Sequence, residues 1–364
     1  MARPTILLNP GPVTLTERVR KALMREDLCH REPEFAELTL DIKRRLAGVY
    51  GVESECEAIV LTGSGTCAVE AMLATLVPPL GDKAGRCMVV ANGVYGERMA
   101  AMLEAHGRAV VLVRSDWLAA IDTGEAERLL ASDARISHVV CVHNETTTGR
   151  LNDIAALGRV CRQHDRPLLL DCVSSFGGEA IDFVGWNLDA LAATANKCLH
   201  GVPGMAFCVV NKRALALKRH KAPSVYLDLR RYSEPQRDGF SPFTQSVHAC
   251  FALQEALIEL EQQGGWRARN RRYRALTARI RAHLESLGIE ALLPPDRSSS
   301  MLTAYRLPRR MGYERLHDAL KEVGFVIYAG QGDLSQAIFR IATMGDVRDD
   351  DVGRLLEAFD RLLR

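Results

Sequence analysis

The sequence predicts an α/β fold, in which a large domain of mainly parallel sheet is covered by helices and a small α+β domain follows. Up to about residue 242, short apolar runs alternate with amphipathic segments, which is typical of parallel strands joined by helices. Beyond that point the sequence becomes helical and charged, as in RARNRRYRALTARIRAHLESLG, and it ends in short strand-like and helix-like segments. These two patterns distinguish the large domain from the small one.

Strands and helices of the large domain can be assigned in order from apolar runs and turn residues. CEAIVLTGSGTCAVEAMLATLV predicts a buried strand, a Gly/Ser turn and a helix that begins near Thr66, and GRCMVVANGVYGERMAAMLEAHG repeats that order. IAALGRVCRQHDRPLLLDCVSSFGG predicts a helix followed by a strand. Further strands are expected in ISHVVCVHNETTTG, NLDALAATANKCLHG and GMAFCVVNKRAL.

The domain boundary is expected inside the long helical segment that runs from Pro242 to about residue 287. We therefore predict a large domain over residues 1–262, with an N-terminal arm over residues 1–20, and a small C-terminal domain over residues 263–364. The small domain should contain the segments SSMLTAYRLP, YERLHDALKEVG, FVIYAG, AIFRIATMG and DDDVGRLLEAFDRLL.

Composition excludes several classes of partner. The net charge of +2 gives no reason to expect nucleic acid or an anionic membrane. No apolar stretch has the roughly 18 residues of a spanning helix, and MARPTILLNPGPV does not have the pattern of a signal peptide, so we expect a cytoplasmic protein. The ten cysteines form no CxxC pair and are expected to be reduced core thiols. No metal is expected, since HExxH and similar spacings are absent.

Four polar clusters follow predicted strands. They are TGSGT (62–66), HNETTTG (143–149), DCVSS (171–175) and TANK (194–197). Ligands of open parallel sheets bind at the carboxyl ends of the strands. The four clusters therefore predict one binding site at that edge of the sheet.

Three of these clusters carry complementary chemistry. Ser64, Gly65 and Thr66 begin a helix whose free N–H groups favour an anion, although a plain strand–helix turn remains an alternative. The Asp171 carboxylate, at a strand end, needs a cation or several donors, and a helix cap is the alternative. Lys197 falls on a neighbouring strand end, where an amine of lowered pKa is a nucleophile toward aldehydes. A phosphate site, an acid and a lysine together are what pyridoxal 5'-phosphate requires: an anchor, a partner for its ring nitrogen and a Schiff-base amine.

The chain also resembles the class V aminotransferases of fold type I, and most closely their 2-aminoethylphosphonate branch. The resemblance covers nearly the whole chain and is carried by the segments LLNPGPV (7–13), LTGSGTCAVEAML (61–73), NGVYGERM (92–99), HNETTTGRLN (143–152), LDCVSSFGG (170–178), ANKCLHGVPG (195–204) and GFVIYAG (324–330). It implies a pyridoxal-phosphate enzyme that transfers an amino group from an amine donor to a keto acid. The expected reaction is 2-aminoethylphosphonate with pyruvate, in either direction.

The resemblance implies a role for each matching residue. Residues expected to bind the cofactor are Ser64, Gly65 and Thr66 at the phosphate, Tyr95 against the ring, Thr148 near the ring oxygen or the substrate, Asp171 and Val173 below the ring, and Lys197 as the Schiff-base lysine. Arg340 is expected to bind the substrate anion, and Asn9 and Gly11 to line the substrate entrance. Thr244 matches a residue that reaches the phosphate from a second subunit, which implies a homodimer with active sites at the interface.

One segment departs from the pattern of the phosphonate branch. Residues 29–35 read CHREPEF, and His30 and Arg31 are expected either to hold the N-terminal arm or to add positive charge near the substrate. Three alternative functions remain: an alanine or serine–glyoxylate aminotransferase, a cysteine desulfurase and a non-catalytic cofactor-binding module. The desulfurase is disfavoured because Cys198 and Cys250 lie in apolar or strand-end contexts instead of a mobile loop.

Overall fold

The computed structural model describes residues 5–80, 85–217, 220–309 and 311–363. Its strands are β1 (Ile6–Leu7), β2 (Cys56–Gly63), β3 (Arg86–Ala91), β4 (Ala109–Arg114), β5 (Ile136–Val142), β6 (Asn144–Glu145), β7 (Arg150–Leu151), β8 (Leu168–Asp171), β9 (Leu188–Thr194), β10 (Gly204–Asn211), β11 (Leu302–Arg306), β12 (Phe325–Val326), β13 (Tyr328–Ala329) and β14 (Ile338–Ala342).

The helices are α1 (Glu17–Ala22), α2 (Pro33–Gly48), α3 (Gly65–Leu76), α4 (Val94–Ala105), α5 (Thr123–Ser132), α6 (Ile154–Gln163), α7 (Lys212–Ala216), α8 (Leu229–Gln236), α9 (Val247–Gln262), α10 (Gly265–Ser286), α11 (Tyr313–Glu322) and α12 (Asp349–Leu363). Helix α3 begins one residue before the predicted Thr66.

A mainly parallel sheet forms the centre of the large domain, as the sequence predicts. Its strand order is β2-β10-β9-β8-β5-β3-β4, and only β10 runs antiparallel to its neighbours. The carboxyl ends of β2, β3, β5, β8 and β9 therefore lie at the same edge of the sheet. Each of these strands is followed there by polar residues.

Both faces of this sheet are buried under helices, which explains why its strands are almost continuously apolar. In β2, Ala58 and Val60 face the cluster that contains α2, whereas Ile59 and Leu61 face the cluster that contains α3. This alternation follows from the two-residue period of side chains in a strand.

The second half of the chain differs in one detail from the single long helix that was predicted. Helix α9 ends at Gln262, and α10 begins at Gly265 after Gly264, which adopts a left-handed conformation with φ of 92°. Glycine populates that region without the steric cost that other residues meet. The domain boundary at residues 262 and 263 coincides with this break and stays a prediction.

The C-terminal segment forms an antiparallel sheet of order β11-β14-β13 with α10, α11 and α12 around it. The beginning of the N-terminal arm joins this part of the molecule, because β1 pairs with β12 in parallel. The Ala342 amide, at the end of β14, also donates to the Leu8 carbonyl at 2.7 Å. Residues 6–8 of the arm thus bond to β12 and to the end of β14.

All ten cysteines are free; Cys29 is exposed, Cys67 is half-buried and the others are buried. Over the described ranges, no three His, Cys, Asp or Glu side chains lie close enough to hold a metal ion. In the same ranges, no helix is both long and apolar enough to cross a membrane.

Strand β2 lies at the edge of the large sheet, and a side chain pairs with its free side. The buried Gln236 amide donates from Nε2 to the Val60 carbonyl at 2.7 Å, and its Oε1 accepts from the Val60 N–H at 3.0 Å. These are the two bonds that a further strand would make at this position. Gln236 thereby satisfies buried backbone groups and blocks strand addition there.

Replacement of Gln236 by Ala should destabilise the protein, because two buried backbone groups of Val60 would lose their partners. We expect the free energy of unfolding to fall by about 2–6 kcal/mol, from about 1–3 kcal/mol for each of the two unsatisfied groups. Urea unfolding of the Gln236→Ala variant, compared with Gln163→Ala on the exposed end of α6, measures the difference. Equal losses in the two variants would contradict this role.

Candidate active site

Several strand ends at the carboxyl edge of the large sheet contribute to the candidate site. The Ser64–Thr66 segment follows β2, and Tyr95 follows β3 in the first turn of α4. Asp171 is the last residue of β8, and Lys197 lies three residues beyond β9. The structure brings these side chains to one side of the sheet, as the four polar clusters predict.

The first turn of α3 forms an open anion site. Ser64 caps the helix by accepting from the Cys67 N–H at 3.4 Å, and Ser64 and Thr66 are exposed. Gly65 is buried against Val173, and a Cβ atom at Gly65 would lie 2.7 Å from a Val173 methyl. Glycine is therefore required for this approach, and the free N–H groups of the turn favour a phosphate.

Asp171 is a nearly buried carboxylate at the end of β8. Its Oδ1 accepts from the Val173 N–H at 2.9 Å. Burial raises the pKa of Asp171 to about 6, while the Val173 N–H and the charges of Lys197 and Arg98 act in the opposite direction. A cation brought against this carboxylate would lower that pKa and stabilise the charged form.

Lys197 is a half-buried amine in the electrostatic field of the other site residues. Burial lowers its pKa, whereas Tyr95 and Asp171 act to raise it. Gly11 of the N-terminal arm packs on the lysine stem: at a φ of 104°, a Cβ atom there would lie 3.0 Å from Lys197 Cδ and Cε. The predicted residue Gly11 is thus next to Lys197, while Asn9 is buried and donates to the Pro12 carbonyl at 2.8 Å.

A small cavity connects several of the predicted cofactor residues. Thr66, Tyr95, Asp171 and Val173 line it together with Arg98. The Arg98 guanidinium lies over the Tyr95 ring, 4.8 Å from its centroid. Sequence reasoning did not single out Arg98. The available signal was its position three residues after Tyr95, which places both side chains on one face of α4.

Arg340 is a buried guanidinium on β14, the central strand of the small sheet, and not a surface arginine on an edge strand. It is 2% exposed, and it donates from Nε to the Ala329 carbonyl at 2.9 Å and from Nη1 to the Thr146 carbonyl at 2.7 Å. Within the described residues, no carboxylate forms an ion pair with it. Burial lowers its pKa, and Arg340 in turn acts to lower that of Lys197.

Two groups in the HNETTTG turn lie next to these residues. Thr148 is 1% exposed, and its buried hydroxyl oxygen has no hydrogen-bond partner among the residues that the structure describes. Burial raises the pKa of the Glu145 carboxyl to about 7, against hydrogen bonds from Thr147 and from the Tyr95 N–H. A buried hydroxyl without a hydrogen-bond partner costs free energy of folding. We therefore expect the Thr148 hydroxyl to bind a ligand.

Three predicted residues are not brought into this cluster. Thr244 is exposed on the segment before α9, beside Phe243, whose ring is tilted against that of Tyr226 with 5.1 Å between the ring centroids. His30 is half-buried and Arg31 is exposed in the segment between α1 and α2. No hydrogen bond or ion pair with any other described site residue is found for His30 or Arg31, and their role stays open.

Comparison with known proteins agrees with this arrangement. The sequence profile of the family Aminotransferase class-V matches residues 17–344. The chain is 35% identical over 359 residues to a 2-aminoethylphosphonate–pyruvate transaminase from Bacillus mycoides, covering 97% of this chain and 96% of the relative. It is 37% identical to the transaminase of the same name from Syntrophobacter fumaroxidans, covering 98% and 95%.

A solved structure is similar along its whole length. The alanine–glyoxylate aminotransferase from Nostoc sp. aligns with a TM-score of 0.91 and 25% identity, covering 100% of this chain and 96% of the other. The predicted fold is therefore confirmed by the comparison as well as by the strand order.

The lowered pKa of Lys197 can be tested in the protein freed of bound small molecules. The rate at which a small amount of an amine-acylating reagent modifies Lys197 should reach half of its maximum at a lower pH than for lysine in a short unstructured peptide, because a lowered pKa leaves more neutral amine at each pH. In Asp171→Asn the midpoint should move lower still, since Asp171 acts to raise this pKa. Peptide mass spectrometry across a pH series measures both proteins. A midpoint for Lys197 at or above that of the peptide lysine would contradict the expectation.

Proposed function

This chain belongs to the aminotransferase class-V family, and from that premise we propose that it transfers the amino group of 2-aminoethylphosphonate to pyruvate, giving phosphonoacetaldehyde and L-alanine, or catalyses the reverse. The family makes it a pyridoxal-phosphate-dependent aminotransferase. The observation that carries the proposal is Arg340, a buried guanidinium that forms no direct ion pair with a carboxylate of the described residues and acts to lower the pKa of Lys197. The names of the full-length relatives supply the substrate.

The residues present fit pyridoxal phosphate. The open first turn of α3 suits its phosphate, Asp171 suits its protonated ring nitrogen, and the unsatisfied Thr148 hydroxyl offers a hydrogen bond. Tyr95 and Val173 line the cavity beside Asp171 and would contact the two faces of the ring. When bound, this cofactor supplies the carbonyl that accepts the amino group and an electron sink for the substrate carbon.

Lys197 is proposed to have two tasks in this site. Its amine would hold the cofactor through the cofactor's carbonyl group, and as a free amine it would take a proton from the substrate carbon. The lowered pKa suits both tasks, because nucleophile and base must be the neutral amine. Gly11 restricts the lysine stem from one side and so limits the positions of the amine.

Arg340 is proposed to bind the anionic group of each substrate. A planar guanidinium can donate two parallel hydrogen bonds to a phosphonate or a carboxylate. The Nε and Nη1 groups of Arg340 already donate to the Ala329 and Thr146 carbonyls. The remaining N–H groups of the guanidinium are therefore oriented before the substrate binds. One arginine would then serve 2-aminoethylphosphonate in one half-reaction and pyruvate in the other.

The active enzyme is proposed to be a homodimer in which Thr244 of each subunit reaches the other's phosphate site. Exposed Thr244 lies near further exposed apolar side chains, namely those of Val225, Tyr226 and Phe240. Water-exposed apolar groups of this size are typical of a surface that a partner covers. A cytoplasmic location, expected from the sequence, belongs to the same proposal.

The alanine–glyoxylate reaction is the second candidate function. It is favoured by the full-length similarity to the Nostoc enzyme and by the His30–Arg31 departure from the phosphonate pattern. The two candidates use the same cofactor and the same lysine, and they differ in which amine donor reacts.

A single half-reaction should identify the donor. Holoenzyme mixed with 2-aminoethylphosphonate, and no keto acid, should lose the absorbance of its lysine-bound cofactor rapidly; L-alanine should do the same, and L-serine should not. Stopped-flow absorbance measures the three rates. A reaction with serine and none with the phosphonate would sink the phosphonate proposal in favour of the alternative. The Lys197→Ala protein should turn over at least about 10³-fold more slowly, since it lacks both nucleophile and base.

The dimer proposal predicts a concentration-dependent molecular mass and a specific effect of Thr244. Light scattering should give twice the chain mass, and Thr244→Ala should weaken pyridoxal-phosphate binding several-fold without changing that mass, since one phosphate hydrogen bond is lost. Thr244→Ser, which keeps the hydroxyl, is the matched control. A monomer with full cofactor affinity would contradict the shared site.

A further inference from the structure

Glu145 is a buried carboxylate to which the roles above assign no task. It is 0% exposed, and its hydrogen-bond donors in the described chain are uncharged: the Tyr95 N–H at 3.2 Å, and the Thr147 N–H and hydroxyl at 3.1 and 2.6 Å. The Glu145 charge acts to raise the pKa of Arg340, but the hydrogen bonds that hold the carboxylate come from uncharged groups, and burying a carboxylate on such bonds is costly, so a carboxylate at this position needs a reason. Its partners indicate what that reason is.

Glu145 and Thr147 cap α4 from a distant segment of the chain. The residue before this helix is Gly93, which has no side chain to cap it. Instead, the Val94 N–H donates to the Thr147 hydroxyl at 3.3 Å, and the Tyr95 N–H donates to Glu145 Oε2. The first N–H groups of a helix need such acceptors, and a negative charge there is favoured by the helix dipole.

Gly93 makes this contact possible by its size. Its φ of 175° is an extended conformation open to any residue, so conformational freedom does not explain the glycine. A Cβ atom at Gly93, however, would lie 2.3 Å from Glu145 Cγ and Cδ. The carboxylate therefore reaches the helix end only across a glycine.

The same turn holds the substrate-binding guanidinium on its other side. Arg340 Nη1 donates to the carbonyl of Thr146, the residue between Glu145 and Thr147. Glu145 Oε1 fixes this turn through both hydrogen-bond donors of Thr147. One side chain thus links the start of α4, which carries Tyr95, to the peptide that orients Arg340.

We propose that Glu145 is a positioning residue that fixes the Tyr95 ring and the Arg340 guanidinium relative to each other. The cofactor ring and the substrate anion then bind in a fixed relative position. This inference rests on the proposed function. Glutamate suits the task because both of its oxygens accept hydrogen bonds: Oε2 accepts from the Tyr95 N–H, and Oε1 accepts from the N–H and the hydroxyl of Thr147. Glutamine of the same size cannot replace it, since its Nε2 group is a donor and would face an N–H or O–H group.

The test measures two dissociation constants that require no turnover: that of pyridoxal phosphate for the apoenzyme, and that of methylphosphonate for the holoenzyme. Glu145→Gln should raise the first about tenfold, through Tyr95, and the second several-fold, through Arg340, as expected for the loss of one buried charge-assisted hydrogen bond. Thr147→Val should act in the same direction, and Thr147→Ser, which keeps the hydroxyl, should not.

Glu179→Gln is the matched control. Glu179 is another buried carboxylate, 2% exposed, that accepts from the Ser300 N–H at 2.6 Å and from Asn270 at 2.9 Å. It contacts neither Tyr95 nor the 145–149 turn through these bonds, so its loss should lower thermal stability while both dissociation constants stay within about threefold of wild type. This control separates positioning from general destabilisation.

Each possible result supports or contradicts either the positioning role of Glu145 or the proposed transamination. Equal effects of Glu145→Gln and Glu179→Gln on the two constants would overturn the proposal, and so would a change in only one constant. A wild-type protein that does not bind methylphosphonate would overturn it too, because Arg340 would then not be the anion site. The wild-type protein could instead bind both ligands while no amine donor converts its bound cofactor to the amine form. That result would contradict the proposed transamination and leave the positioning role of Glu145 standing.

Discussion

The candidate site depends on charged side chains that are held away from water at the carboxyl edge of the parallel sheet. Burial lowers the pKa of Lys197 and raises those of Asp171 and Glu145, so each of these groups is kept closer to its neutral form than in water. The sheet makes this possible, because adjacent strands end beside each other and offer backbone N–H groups as partners. A cofactor with an anionic phosphate and a protonated ring nitrogen would bring charges opposite to those of the lysine amine and the Asp171 carboxylate, and so would stabilise the charged forms of both.

Much of this arrangement could be predicted from the sequence. Gly/Ser turns between apolar runs predicted the order of strands and helices, and polar residues directly after those runs predicted Asp171 and Lys197 as neighbours. Such inferences succeed because they need only the period of a strand and the geometry of a parallel sheet. Arg340 was reached by resemblance alone, since nothing local in AIFRIATMG distinguishes a buried arginine from a surface one.

Contacts between distant segments could not be predicted in this way. The cap of α4 by Glu145 and the packing of Gly11 on Lys197 each join residues far apart in the chain, and neither leaves a local pattern. The same is true of Gln236, whose pairing with Val60 requires the strand order to be known first. The glycines at positions 11 and 93 are only indirect evidence of these contacts. A glycine indicates that another group packs closely against the backbone, but the sequence does not identify that group.

The position of β2 at the sheet edge has a consequence for synthesis of the chain. Strand β2 is the first strand of the large sheet to leave the ribosome, but its partner β10 is the last of that sheet, and Gln236 follows later still. Loop-closure entropy must be overcome before such distant segments pair, and until then an apolar strand has no partner on either side. The nascent chain therefore carries an unpaired, aggregation-prone strand from the synthesis of Gly63 until β10 has been made, and a chaperone that covers residues 56–63 during that interval would raise the yield of folded protein.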